Sequence, residues 1–348
     1  MSRVVNKPEE FTIIGENIHT TRSVRRDGTR VVALDGGVEA VSYKDERGNQ
    51  AYLRIPERFK STQPYQQGQV KHFMIAASKG INGDAAEQAE GAAYVRAEVL
   101  RQVAAGARFL DLNVDEISYK LDLQKKAMEW MVRVAQEIST VPLSVDSSNQ
   151  DIIAVGLAAY DGRAGRPMIN SVALERLDTI DLVTHYDARA IVTASGASGM
   201  PNDDAERVAN VSQLIEEVRR RDVPLSDVYV DALVFPISVA AQYGLHYLDA
   251  VKELRNRFGN HIHITGGLSN VSFGLPNRKL VNDTFIHLGL EAGIDSGIID
   301  PVQSNIAKVL ALDTGSESVQ LAADMLLGKD EFCVNYIKAW KDGRLNQG

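Results

Sequence analysis

The chain has 348 residues, of which 44% are hydrophobic and 24% charged, and its formal net charge is −8. This composition is typical of a globular protein with a sizeable core, and the negative charge argues against nucleic acid as a partner, because phosphate binding needs a concentrated basic surface. No apolar run approaches the roughly 18 residues of a membrane span, the N-terminus lacks a signal-peptide layout, and the single cysteine, Cys333, cannot form an internal disulfide, so we expect a cytoplasmic protein.

Short β-rich runs alternate with longer amphipathic stretches along most of the chain. The runs predict eight strands: Phe11–Gly15, Arg108–Val114, Leu143–Asp146, Met168–Val172, Ala190–Thr193, Val228–Leu233, His263–Ser269 and Ser296–Asp300. The stretches between them predict helices, most clearly over Ala85–Ala105, Leu121–Ser139, Asp203–Arg221 and Tyr247–Phe258. Eight strand-then-helix units favour an α/β fold of the (β/α)8 TIM-barrel class over a doubly wound sheet. The absence of a G-x-G-x-x-G motif after the first strand agrees with this choice.

One long segment interrupts this alternation. Residues 17–82 separate the first strand from the first clear helix, and within them Thr29–Leu34, Glu39–Tyr43 and Gln50–Ile55 are predicted as short strands. We therefore predict one domain, residues 1–348, with a β-rich insertion after its first strand. An insertion at this position projects from the catalytic face of a barrel, where it serves as a lid, a docking element or a structural excursion.

Polar side chains stand at the predicted strand ends, where barrel enzymes place their reactive residues. They are Asp111 and Asn113, Asp146, Asn170, Asp231, Ser269 and Asn270, and Asp300. No strand end carries a lysine for Schiff-base chemistry, and no His-rich or Cys-rich cluster predicts a metal site. Carboxylates and carboxamides suit a flat, neutral heterocycle with amide-like edges. The alternative for a single residue is helix capping, for which Asp146, followed by Ser147-Ser148-Asn149, is a fair candidate.

Seven motifs in this order resemble the pterin-binding methyltransferases, which pair methyltetrahydrofolate with a corrinoid protein. They are Gly-Glu-Asn at 15–17, Leu-Asp-Leu-Asn-Val at 110–114, Val-Asp-Ser-Ser-Asn at 145–149, Met-Ile-Asn-Ser at 168–171, Tyr-Val-Asp at 229–231, Gly-Leu-Ser-Asn-Val-Ser at 267–272 and Asn-Arg at 277–278. The resemblance covers the first strand and the chain from about Gly83 onward. Ala232, where relatives often have proline, and the large insertion depart from the family pattern.

The resemblance implies roles for individual residues. Asp146, Asn170 and Asp231 would hydrogen-bond the pterin ring, and Asn270 would reach N5, the nitrogen that carries the methyl group. Of these, Asn270 and Asp231 are the expected catalytic residues. The remaining matched positions, which would line or flank the same pocket, are Asp111, Asn113, Ser269 and Arg278.

The implied reaction moves a methyl group between N5 of tetrahydrofolate and a corrinoid, in either direction. No corrinoid-binding motif of the Asp-x-His-x-x-Gly type is present, so we expect the cobalamin cofactor on a separate corrinoid protein, and the family implies a homodimer. Three alternatives stay open: a dihydropteroate synthase, a non-catalytic folate-binding subunit, and a lyase with a divalent metal on Asp111, Asp146 and Asp231.

Overall fold

Eight strands form one sheet in this computed structural model, which describes residues 4–345. They are β1 (Thr12–His19), β2 (Phe109–Asn113), β3 (Leu143–Asp146), β4 (Met168–Val172), β5 (Arg189–Thr193), β6 (Val228–Asp231), β7 (His263–Thr265) and β8 (Ser296–Ile299). Their order along the sheet is β7-β6-β5-β4-β3-β2-β1-β8. A parallel bridge between Gly267 and Ile298 links the end of β7 to β8. The predicted fold class, a (β/α)8 barrel, is confirmed.

The four segments that the hydrophobic periodicity predicts most clearly are helical. Apart from two short helices in the insertion, Glu57–Lys60 and Gln63–Gln66, further helices accompany them and are labelled together with them. They are α1 (His72–Asn82), α2 (Ala85–Ala104), α3 (Leu121–Gln136), α4 (Gln150–Ala159), α5 (Thr179–His185), α6 (Asp204–Arg220), α7 (Tyr243–Phe258), α8 (Arg278–Ala292), α9 (Ile306–Leu310), α10 (Glu317–Leu326) and α11 (Val334–Lys341). In α3, Met128, Met131, Val132 and Ala135 are buried on one face, which fixes the side turned to the core. Within residues 4–345, none of the helices has the length and apolar character that a membrane span requires.

Chain contacts divide the protein into two compact units. One is Gly15–Asn170, and the other combines the residues up to Ile14 with the chain from Ser171 onward. In the first unit β1 runs four residues beyond the predicted end at Gly15, because the apolar pattern continues through Ile18 and six consecutive residues of the strand are buried. The strand therefore ends at His19.

The insertion in the first unit contains the predicted antiparallel sheet. Its strands are Val31–Ala33, Glu39–Lys44 and Gln50–Arg54, and Val24–Arg25 pairs separately with Gln69–Val70. The three-stranded sheet packs on α2. Tyr43 meets the buried ring of Tyr94 edge-on at 4.8 Å, the Arg30 guanidinium donates to the Tyr94 hydroxyl, and Arg54 pairs with Glu90. The end of the insertion is the helix α1, which the sequence did not predict.

In the second unit a buried arginine connects the turns that precede β7 and β8. Arg255 of α7 is 5% exposed, and its guanidinium donates to the carbonyl oxygens of Gly293, Gly259 and Ile262 at 2.7–3.0 Å. Asp295 lies 3.5 Å away. These carbonyls belong to the turns that lead into β7 and β8, so one side chain satisfies backbone groups from both strand entries.

We expect Arg255→Met to destabilise the fold by about 3 kcal/mol, because it leaves several buried carbonyls without a donor. Arg257→Met on the same helix is the matched control. Arg257 pairs with Glu253 in an exposed i,i+4 bridge, whose loss costs less than about 1 kcal/mol. Urea unfolding followed by tryptophan fluorescence measures both. Equal effects of the two substitutions would contradict the role assigned to Arg255.

Candidate functional site

Three of the predicted site residues form a row across neighbouring strands of the unit Gly15–Asn170. Asn113 is paired in register with Asp146, and Asp146 is paired with Asn170. Asn113 and Asp146 end their strands, and Asn170 lies at the middle of β4. The Asn113 amide donates to Asp146 Oδ2 at 3.0 Å. The parallel register therefore brings an amide, a carboxylate and a second amide side by side.

Asp111 lies two residues before Asn113 on β2 and has no exposed surface. The Asn170 amide donates to both of its carboxylate oxygens at 3.3 Å. His19, at the end of β1, places Nε2 3.0 Å from Asp111 Oδ2 and 3.9 Å from Asp146 Oδ2. We call these five residues, His19, Asp111, Asn113, Asp146 and Asn170, the acid–histidine cluster.

The charges of this cluster are interdependent. Burial lowers the pKa of His19, but the hydrogen bond and charge of Asp111, with the charges of Asp146 and Glu16, outweigh burial and raise it. Burial and the Asp111 charge raise the pKa of Asp146 well above its usual range, although His19 and Asn113 oppose the shift. The pKa values of His19 and Asp146 are therefore both raised, and the imidazole faces two acids of unequal exposure. Asp146 keeps 22% of its side chain exposed, and Asp111 keeps none.

Helix capping does not explain Asp146. Asn149 caps α4 by accepting from the backbone N–H of Asp151. Asp115, which the sequence did not single out, holds the turn after β3 by accepting from the hydroxyls of Ser147 and Ser148. Among the described residues, the Asn113 amide is the group that donates to Asp146, and it engages Oδ2. The other oxygen is available to a ligand.

The cluster has two chemical capacities. Its carboxylate and amides can pair with the N–H and C=O edge of a flat heterocycle. His19, Asp111 and Asp146 also bring one nitrogen and two oxygens within 4.8 Å of one another, a spacing compatible with a divalent cation. The sequence shows no His-rich or Cys-rich cluster, and the divalent-metal alternative considered there used Asp111, Asp146 and Asp231 without His19. In the structure, the hydrogen bond between His19 and Asp111 uses the same atoms that would bind a cation.

In the second unit Asp231 ends β6, in register with Thr193 and Thr265 of the flanking strands. Its Oδ1 accepts from the backbone N–H of Leu233 at 2.8 Å, and Leu233 has a left-handed backbone with φ of +63°. Burial raises the pKa of Asp231 to about 6, although the Leu233 hydrogen bond and the charge of Arg207 lower it. Burial therefore outweighs the hydrogen bond from the turn and brings the pKa of this carboxyl closer to neutral pH.

The remaining predicted residues follow β7. Ser269 and Asn270 lie half-buried in the short 3-10 helix Leu268–Ser272. Arg278, exposed at the start of α8, donates to the carbonyl oxygen of Ser269 and to the hydroxyl of Ser272, both at 2.9 Å. Its guanidinium lies 4.6 Å from the ring centre of Phe273. These contacts give Arg278 a structural task in holding the loop that carries Asn270.

His19 is the main residue that the sequence reasoning missed. The sequence predicts a first strand that ends at Gly15, so His19 lies beyond the predicted strand ends. The available signal was Ile18, which continues the apolar run and places His19 at the end of the strand. Its contact with Asp111 links residues 92 positions apart, which no local pattern reveals.

Comparisons with known proteins agree on one family. Residues 83–300 match the family model described as pterin binding enzyme. The chain is 28% identical to methylcorrinoid:tetrahydrofolate methyltransferase of Eubacterium limosum over 78% of its own length and 98% of that protein. It is 30% identical to methionine synthase of Mycobacterium leprae over 64% of its length, but spans 19% of that longer protein. Dihydropteroate synthase of Stenotrophomonas maltophilia shares the fold, with a TM-score of 0.50 and 13% identity over 64% of this chain and 86% of that one.

The raised pKa of Asp231 predicts a pH-dependent stability. Between about pH 4 and pH 6 the unfolded chain loses this proton while the folded protein keeps it, so the contribution to folding is present below pH 4 and lost as the pH rises through 6. Asp231→Asn keeps the acceptor for Leu233 and removes the charge. We expect the variant to be more stable than the parent protein by about 3 kcal/mol at pH 8 and about equally stable at pH 4. Urea unfolding at the two pH values measures this, and a stability gain that is the same at both would contradict it.

Proposed function

This chain belongs to the pterin-binding enzyme family, and on that premise we propose that it transfers a methyl group between a corrinoid and N5 of tetrahydrofolate. The family resemblance expected from the sequence is confirmed, and so is the enzyme class, since the named relatives are methyltransferases. The observation that carries the proposal is the row of Asn113, Asp146 and Asn170 at the strand ends, together with similarity to a methylcorrinoid:tetrahydrofolate methyltransferase along nearly that protein's whole length.

The acid–histidine cluster suits the pyrimidine side of a pterin. That edge of the ring carries an exocyclic amino group and a ring N–H, both donors, beside a carbonyl acceptor. The Asn113 amide occupies one oxygen of Asp146. In its carboxylate form Asp146 accepts from such donors with the other oxygen, and a carboxamide such as Asn170 both donates and accepts. The buried Asp111 is hydrogen-bonded to His19 and Asn170. Its task in the proposal is to orient them.

Asp231 and Asn270 are assigned to the same ligand by the resemblance. In the direction of folate methylation, N5 of tetrahydrofolate attacks the methyl carbon, the electron pair of the cobalt–carbon bond stays on cobalt, and N5 gives up its proton. A carboxyl that titrates near neutrality, as Asp231 does, can take this proton and return it in the reverse direction. The side-chain carbonyl oxygen of Asn270 accepts a hydrogen bond from N5–H. This contact leaves the lone pair of N5 directed at the methyl group.

The proposal also covers the corrinoid partner, the substrate pair, the location and the assembly of this enzyme. The cobalamin is carried by a separate corrinoid protein, the substrate pair is tetrahydrofolate and 5-methyltetrahydrofolate, and the enzyme works in the cytoplasm as a homodimer. The enzyme serves the folate side of a demethylation or another one-carbon pathway. The single domain with its insertion at residues 17–82 also stays a prediction. A dihydropteroate synthase has the same fold, but the similarity to methyltransferases favours methyl transfer over that reaction.

Anaerobic conversion of methylcob(III)alamin to cob(I)alamin on addition of tetrahydrofolate tests the proposal directly. We expect Asn270→Ala to lower the maximal rate about 100-fold, because one hydrogen bond to the reacting nitrogen is lost. Asp146→Asn should raise the folate concentration needed for half-maximal rate about 30-fold, because the carboxylate acceptor is lost.

The matched control is Asp122→Asn, the same chemical change at an exposed position of α3, which should leave both constants unchanged. If Asn270→Ala and Asp146→Asn both behaved like the parent protein, the site assignment would be wrong. Activity that is abolished by a chelator would favour the metal-dependent alternative instead.

A further inference from the structure

The buried cation of Arg207 binds the loop that follows β6. Arg207 belongs to α6 and has no exposed surface. Its Nε donates to the carbonyl oxygen of Ala232 at 3.0 Å, and Nη2 donates to the carbonyl oxygen of Leu233 at 3.5 Å. Nη1 donates to the carbonyl oxygen of Asp203, which caps α6, at 2.7 Å. The guanidinium therefore holds the first two residues after β6 to the start of α6.

One peptide group connects this cation with Asp231. The carbonyl of Ala232, which accepts from Arg207, and the N–H of Leu233 belong to the same peptide. A peptide is planar, so a contact that fixes the direction of its C=O also fixes the direction of its N–H. That N–H donates to Asp231 Oδ1 at 2.8 Å. A hydrogen bond to the carbonyl oxygen also polarises the peptide, which strengthens its N–H as a donor to the carboxylate.

The backbone of Leu233 explains why this peptide has to be held. Its φ of +63° lies in the left-handed region, which is costly for a residue with a side chain and persists only where surrounding contacts fix it. Arg207 supplies two such contacts, one on each carbonyl of the turn. The ring centre of Phe235 lies 4.9 Å from the guanidinium carbon and adds a third. Without them the turn would relax, and the Leu233 N–H would point away from Asp231.

We propose that Arg207 is a positioning residue that acts on Asp231 through the peptide between Ala232 and Leu233. Among the described residues, the Leu233 N–H is the group that donates to the Asp231 side chain, and it engages Oδ1. Oδ2 is therefore presented to the ligand in a fixed direction. The inference rests on the proposed function, in which Asp231 exchanges a proton with N5, and adds the group that orients its carboxyl. Small errors in the placement of a reacting group lower a rate strongly.

The test compares Arg207→Lys with Arg255→Lys in the full-length protein. Arg255 is the matched control, because it is also buried and also donates to backbone carbonyls, but on the turns that precede β7 and β8. Lysine keeps the charge in both variants and loses the planar set of donors. Urea unfolding measures the stability that each variant loses, so that rates are compared per folded molecule.

We expect Arg207→Lys to lower the maximal rate of tetrahydrofolate-dependent methylcob(III)alamin demethylation about tenfold, and Arg255→Lys to leave it unchanged. The tetrahydrofolate concentration for half-maximal rate should change little in either variant, because the residues that pair with the pterin edge are not altered. A merely structural Arg207 would behave like Arg255. Equal loss of maximal rate per folded molecule in the two lysine variants would overturn the inference.

Amide hydrogen exchange in the ligand-free protein separates this inference from the proposed function. We expect the Leu233 amide, observed by ¹⁵N NMR, to exchange about tenfold faster in Arg207→Lys than in the parent protein, and Arg255→Lys to leave it unchanged. Phe235→Leu is a milder second variant, which removes the ring beside the guanidinium but leaves its donors in place. It should accelerate the same amide about threefold.

Unchanged exchange of the Leu233 amide in Phe235→Leu and in Arg207→Lys would contradict the role assigned to Arg207, even if the protein transfers methyl groups. The opposite outcome is equally informative. If the parent protein shows no tetrahydrofolate-dependent turnover while the Leu233 amide responds as expected, the proposed function fails, and the link from Arg207 to Asp231 stands as a structural finding without a part in methyl transfer.

Discussion

The carboxylate of Asp111, which has no exposed surface, constrains the strand ends around it. Burying an uncompensated charge is costly, so such a group needs hydrogen bonds and a counter-charge close by. The unit Gly15–Asn170 supplies both, an imidazole from β1 and an amide from β4. These hydrogen bonds hold Asp111 and also orient His19 and Asn170. The neighbouring Asp146 stays partly exposed. The network that makes a buried acid tolerable thus presents a second acid to a ligand.

Asp231 presents the opposite case. It has a backbone N–H as its hydrogen-bond partner, and the charge of Arg207 only partly offsets the effect of burial. A carboxyl with a pKa of about 6 exchanges its proton near neutral pH. The two units therefore offer carboxyl groups of different character, one arrangement suited to recognition and one suited to moving a proton.

Periodicity and strand-end position predicted much of this molecule. Alternating apolar runs located the eight strands and the main helices, and parallel strands bring their polar ends to one edge, which identified Asn113, Asp146 and Asn170 before any contact was known. Contacts between residues far apart in the sequence could not be predicted from the local hydrophobic pattern. The sequence could not tell that Asn149 rather than Asp146 caps α4, since both precede the helix. It also missed His19, because the end of β1 depends on pairing with distant strands that a local window does not contain.

The insertion sheet is attached to α2 by side chains of two kinds. Tyr94 is buried and packs against Tyr43, whereas Arg54, which pairs with Glu90, is largely exposed. Arg58, in the short helix that follows the sheet, forms a second exposed bridge to Glu87 of α2. Salt screens exposed bridges of this kind but leaves aromatic packing nearly untouched. Rising ionic strength therefore weakens these ion pairs first. The contact between Tyr43 and Tyr94 then remains as the point around which the sheet opens. Local opening of this kind would expose the insertion to proteases while the strands beneath it remain folded.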